Sequence, residues 1–155
     1  MKPTIEYEKL EALKNHLVEN ENFTTEEASA AYYDERFESF CCGSWEYKVL
    51  TWAEADTLAT AEILESLWAF RARFILYHTD FYKNSTDRED EAFVEALESL
   101  QGKLCESANP IIKALIRNLP AFVQDAIDED GRGQFISHYD GEEIESGEFF
   151  LYRIN

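Results

Sequence analysis

The sequence predicts an α+β fold: a mainly helical single domain over residues 1–155, helical through 1–130 and closed by a small antiparallel β-hairpin or sheet in 131–155. Three observations carry this reading. Apolar residues recur at steps of three and four through most of the chain. Thr-x-x-Glu capping boxes mark helix starts. The residues after Gly131 switch to Phe- and Tyr-rich segments around an Asp-Gly turn signal.

In chain order, Leu10, Leu13 and Leu17 give a first helix over about 4–18. Thr24 and Glu27 form a capping box, and Ala28, Ala31 and Tyr32 continue a narrow apolar face toward Phe37 and Phe40, so a second helix is expected up to the Gly43-Ser44 break. Trp45–Leu50 reads as a short strand. Thr51 and Glu54 then cap a long core helix whose seam runs Trp52, Ala55, Ala59, Ile63, Leu67, Phe70 and Phe74, with a bend near Phe70. Thr86 with Glu89 caps the next helix, marked by Phe93, Leu97, Leu100 and Leu104. Asn109-Pro110 opens another, since proline suits a first helical turn. Leu119-Pro120 ends that one and starts the last, Ala121 to about Glu129, which Gly131 closes. Gln134–Tyr139 and Glu148–Ile154 are the expected hairpin strands, joined at their side by Trp45–Leu50 because a lone hairpin is marginal.

Charge narrows the function classes. There are 32 Asp and Glu against 14 Lys and Arg, a net charge of −18, while 45% hydrophobic and 14% aromatic residues are too many for a disordered acidic tail. Such a surface repels nucleic acid and anionic membranes and suits cations or basic clefts on proteins. Cys41, Cys42 and Cys105 make no disulfide framework and read as thiols in a reducing compartment. The first residues hold no apolar leader segment and no apolar run reaches membrane-spanning length, so a cytoplasmic protein is expected.

Several segments carry chemical signatures with a plainer structural reading. Asp128-Glu129-Asp130-Gly131-Arg132-Gly133 resembles a calcium loop, but neither glycine gives a full oxygen set: one register puts Ala126 first and Ser137 last, the other Arg132 fifth and Tyr139 last. A helix cap leading into the hairpin explains the stretch better. His16, His78 and His138 lack ligand neighbours at helical spacing, and His78 reads as a capping or surface residue. Cys41 and Cys42 read as buried thiols at a helix end, with no cation nearby in sequence to activate them. Trp45, Trp52, Trp68 and Phe70 read as core, because base-stacking platforms come with basic grooves.

The acids are polarised. Ten lie in 6–38 against Lys9, Lys14 and Arg36, six in 87–98 against Arg88, and nine in 125–148 against Arg132 alone. Asp128, Glu129, Asp130, Asp140, Glu142, Glu143, Glu145 and Glu148 are therefore the expected partner-binding residues, with Asp140, Glu142, Glu143 and Glu145 projecting from a solvent-exposed loop. Phe135 and Tyr152 are expected to pack on the helices.

The segments Asp130-Gly131-Arg132-Gly133-Gln134-Phe135, Tyr139-Asp140-Gly141-Glu142-Glu143 and Phe150-Leu151-Tyr152-Arg153-Ile154-Asn155 resemble a pattern found in small phage and mobile-element proteins, as do Tyr47–Thr51 and Leu67–Phe70. The resemblance implies proteins that bind and modify host machinery, among them acidic anti-restriction and anti-CRISPR inhibitors that imitate DNA; it carries no catalytic residues. The expected function is thus stoichiometric inhibition of a basic, nucleic-acid-binding host protein, without catalysis, metal, cofactor, direct nucleic-acid contact or membrane, and with homo-oligomerisation open. The alternative is a small enzyme or nucleotide-binding module that uses the Asp130–Gly133 turn, Asp140 and Arg153, with Arg132 and Arg153 holding an anionic ligand.

Overall fold

A computed structural model describes residues 4–82 and 87–155 and shows an α+β, mainly helical architecture. Packing divides the chain into two compact units, 1–59 with 130–155, and 60–129.

The first unit is a five-stranded antiparallel sheet with helices. Helix α1, Ile5–Asn20, starts where the Thr4 hydroxyl accepts the Tyr7 N–H. It buries Ala12, Leu13, His16 and Leu17 at helical spacing. Helix α2, Thr25–Ser29, carries the predicted capping box with both reciprocal bonds in place. Strands β1 (Tyr32–Asp34), β2 (Ser39–Cys42), β3 (Trp45–Leu50), β4 (Ile144–Ser146) and β5 (Phe149–Arg153) form a sheet of order β1-β2-β3-β5-β4. Register pairs Phe40 with Tyr47, Val49 with Leu151, and Tyr47 with Arg153. One sheet face therefore carries Phe40, Cys42, Tyr47, Val49, Phe149 and Leu151, and these form a single core with Ala12, Leu13 and Leu17 of α1 and with Ala28 and Ala31. Across that core Lys9, 8% exposed, donates to Glu54 at 2.7 Å. Burial opposes the Glu54 carboxylate, but the bonds from Lys9 and the Thr51 N–H prevail and hold its pKa below the usual value.

Three sequence expectations change here. The helix expected to run from Thr24 to Phe40 stops at Ser29, and the chain turns into a β1–β2 hairpin with Glu38 at φ +49°. The rings of Tyr33 and Phe40 meet across that hairpin at 4.8 Å, a pairing that helical spacing along one segment does not register. Cys41 and Cys42 consequently sit on a strand rather than at a helix end, Cys41 half-buried and Cys42 buried. The strand expected over 134–139 is instead a short helix, α8, Arg132–Ile136. Arg132 and Ile136, four apart, are both buried, so the helical period wins over the β-propensity of Phe135 and Ile136. The β part is thus not confined to 131–155, since three of its strands lie before residue 51.

Helix α3, Trp52–Glu65, buries Ala55, Ala59 and Ile63, while Trp52 is 64% exposed and not core. The Thr51–Glu54 cap is present, with the Thr51 N–H donating to Glu54 at 2.8 Å. The predicted continuous helix to Phe74 breaks at Ser66, whose hydroxyl bonds back to the Glu62 carbonyl. A 3-10 turn, Leu67–Ala69, follows, and then α4, Ala72–Tyr77. The freed main-chain groups find side-chain partners: Asn109 accepts from the Trp68 N–H and donates to the Glu65 carbonyl, and Gln101 donates to the Trp68 and Phe70 carbonyls at 2.9 and 2.7 Å. Helices α5 (Asp87–Leu104), α6 (Asn109–Leu115) and α7 (Leu119–Asp130) fall close to their predicted bounds. The Thr86 cap and Asn84-Ser85 lie outside the described residues.

In the second unit Phe70, Phe74, His78 and Phe122 pack as one aromatic cluster with ring centroids 5.0–5.6 Å apart. His78 caps the end of α4 as predicted, but its ring is largely buried, and it pairs with Asp125 at 3.1 Å. Burial first, helped by Arg117 and opposed by Asp125, lowers its pKa below 6.5. The folded chain therefore favours neutral His78. Its contribution is complete above the unfolded value and is lost as pH falls through the window below about 6.5. His78→Gln should flatten the fall of melting temperature between pH 7 and 5; an unchanged slope would show that other groups set it.

Candidate functional site

Residues of the segment 131–153 assemble with Trp52 into one structural clasp. Gly131, at φ +81°, ends α7 and turns the chain into α8. Arg132 then lies on the second sheet face, its guanidinium 3.9 Å from the Trp52 ring and 4.7 Å from that of Phe150. It grips Glu143 through two bonds of 2.9 Å. The Tyr152 hydroxyl donates to the same carboxylate. Burial disfavours the Arg132 charge, yet the Glu143 partner outweighs this and raises its pKa. Burial first, then Glu143, pushes the Tyr152 phenol far upward, which keeps it a donor. Gly133 is pressed against the main chain of Gly141–Glu143. The Ser137 hydroxyl lies within hydrogen-bond reach of two acceptors, the Asp140 carboxylate at 2.8 Å and the Arg153 carbonyl at 2.7 Å.

This reassigns part of the predicted partner-binding set. Glu143 does not project freely, because it is the counter-ion of Arg132, and Asp140 caps its own turn by accepting the Ser137 hydroxyl and the Glu142 N–H. Of that loop, Glu142 and Glu145 are exposed without such duties, and Glu148 is exposed on the β4–β5 turn. Asp128 and Glu129 are exposed at the end of α7 in the second unit, Asp128 accepting from Gln124, while Asp130 closes that helix. Arg132 is likewise not available to an anionic ligand. Arg153 is held between the Trp45 and Tyr139 rings at 3.7 and 3.8 Å, and its Nε donates to the Asn155 carbonyl.

Two acidic regions of the first unit escaped the sequence reading as sites. An open cleft of about 380 Å³ is lined by Tyr7, Glu8, Glu11, Asn15, Glu148 and Phe149, from one face of α1 and the β4–β5 turn. The Ser146 hydroxyl anchors that turn by donating to the Ala12 carbonyl at 3.1 Å. Spacing hides this site: Glu8 and Glu11 are one helical step apart, but Glu148 joins them only through the sheet. The second region surrounds β1. The pKa of the Tyr33 phenol is raised by burial first and then by the negative charge of Glu38, Glu6, Glu35 and Glu54.

Among the described residues no three His, Cys, Asp or Glu side chains are grouped to hold a metal ion, and no helix is long and apolar enough to cross a membrane. No protein-family model, no curated protein and no solved structure matches the chain.

Proposed function

We propose that the chain is an acidic binding protein that acts without catalysis, a stoichiometric inhibitor or modulator of a basic, nucleic-acid-binding protein in the cytoplasm of a phage host. The observation that carries this reading is the α1 cleft. Three carboxylates, of Glu8, Glu11 and Glu148, converge there with an exposed tyrosine ring on a surface of net charge −18. Carboxylates fork onto guanidinium groups, and the Tyr7 face stacks on them, so the cleft suits an arginine or lysine that would otherwise contact phosphate. Exposed Glu142 and Glu145 extend the negative field and would steer association. DNA mimicry is the form this takes if the acids occupy phosphate positions in a basic groove.

The test is competition. A host DNA-binding protein captured by the immobilised chain should be displaced by duplex DNA and lost between about 50 and 200 mM salt, as phosphate contacts are. Glu8→Gln, Glu11→Gln and Glu148→Gln together should slow association about ten-fold. Glu8 and Glu148 are exposed and the Glu11–Lys14 pair is half-buried one helical turn apart, so melting should stay within a few degrees. Capture indifferent to salt and to these substitutions, or tight DNA binding by the chain itself, would overturn the proposal.

A further inference from the structure

We infer that strand β1 is a docking edge that takes up an extended, basic peptide segment as a sixth strand. The inference rests on the reading above, that the partner is basic, and adds where and in what conformation it binds.

Among the described residues strand β1 has one strand neighbour, β2, so its other side presents main-chain N–H and C=O groups of the kind that template strand addition. The opposite edge is less open, since β4 is tied to α1 through Ser146. Natural edges are often blunted by inward-pointing lysine or by proline. Tyr32-Tyr33-Asp34 has neither, although the strand is three residues long and its buried Asp34 is a charge, so the edge offers a short platform that a partner strand would overrun. Instead the edge is flanked by two exposed aromatics, Tyr32 at 53% and Phe37 at 64% exposure, which leaves apolar surface where a strand's alternate side chains would lie.

Charge selects the occupant. Asp34 is spent on Arg36, which donates to it twice, at 3.0 and 2.7 Å, and Glu54 on Lys9. Lys48 donates to the Phe37 and Glu38 carbonyls at 2.8 and 3.0 Å. Glu35 and Glu38, in the loop that follows β1, are exposed and, among the described residues, enter no ion pair, so this edge stays negative. A second copy would bring the same acids against themselves, and like charges across a strand pair are destabilising. A segment alternating Lys or Arg with apolar residues meets both needs: cations toward Glu35 and Glu38, apolar side chains on Tyr32 and Phe37, main chain on β1.

The test uses two synthetic probes of equal charge at low salt. One is a peptide alternating lysine with valine; the other replaces alternate valines with proline, which removes main-chain donors but keeps every charge. The first should bind and slow hydrogen exchange of the amides within 32–34, and the second should bind about ten-fold more weakly. Phe37→Ser with Glu35→Lys and Glu38→Lys, all exposed positions, should abolish that protection without lowering the melting temperature by more than a few degrees. Equal binding of both peptides, or protection confined to the α1 cleft, would overturn the edge inference while leaving a basic partner in place. Protection of β1 without peptide, in a dimer, would assign the edge to a second copy and also overturn it. Failure of the whole chain to capture any basic protein would instead sink the underlying functional reading.

Discussion

Glu143→Gln is expected to cost about 1–3 kcal/mol of folding stability, because Glu143, although partly exposed itself, is the charged partner of a buried guanidinium. Arg132 is 5% exposed, and glutamine offers its guanidinium one neutral oxygen in place of a charged fork. The positive charge would remain between Trp52 and Phe150 without its counter-ion, and the Tyr152 hydroxyl would lose a charged acceptor. Glu142→Gln and Glu145→Gln, at exposed positions in the same segment, should each move stability by less than about 0.5 kcal/mol. Denaturant midpoints of the three variants decide the matter, and equal midpoints would show that the pair adds little. Arg132→Met combined with Glu143→Leu and Tyr152→Phe should recover part of the loss, because replacing a whole buried polar set is cheaper than orphaning one member.

The contrast between Glu143 and its neighbours shows where sequence reading reaches its limit. Composition makes the nine acids of 125–148 equivalent, so they read as one binding surface. What separates Glu143 is that Arg132 lies 11 residues before it and Trp52 a further 80 away in sequence, brought together only by α8 crossing the sheet. One signal was present: Arg132 is the lone cation of that stretch and stands between two glycines, a setting suited to tight main-chain packing rather than a solvated surface. Gly131, Gly133, Asp140 and Tyr152 follow the same logic, since each is a member of the clasp only through partners distant in sequence or through the turn they build.

Elements whose stability is decided locally were legible. The spacing of Leu13 and Leu17, the Thr24 and Thr51 caps, Asn109-Pro110 and the turn at Gly131 placed a helix start or end to within a few residues. Elements decided by distant partners were not. The segment after Ser29 carries apolar residues compatible with a helix, yet the Tyr33–Phe40 contact and pairing with β3 make it a hairpin. Likewise the seam from Ala55 through Phe74 has unbroken helical spacing, but Asn109 and Gln101 supply the hydrogen bonds that let the main chain leave the helix after Glu65. The α1 cleft and the β1 edge depend on register and strand order, which no local pattern encodes.

Gly133→Ala is expected to be the most damaging single methyl group the chain can receive, at about 3 kcal/mol or more. A β-carbon there would lie 2.4 Å from the Gly141 carbonyl oxygen, 2.6 Å from the Glu142 carbonyl carbon and 2.8 Å from the Glu143 nitrogen. All three are main-chain atoms, so no rotamer change relieves the contact. The loop must move instead. Movement of that loop also draws Glu143 away from Arg132, which couples the steric cost to loss of the ion pair. Helix propensity alone predicts the opposite sign, because alanine is better than glycine inside a helix by about 0.5–1 kcal/mol. Gly102→Ala supplies that comparison: Gly102 lies in α5 with nothing within 4 Å of an added β-carbon, and its substitution should raise the melting temperature. Thermal melting of the two variants side by side separates the effects. If Gly133→Ala melts at or above the parent chain, α8 does not press on the 141–143 main chain as described, and the clasp would not be what holds Glu143 to Arg132.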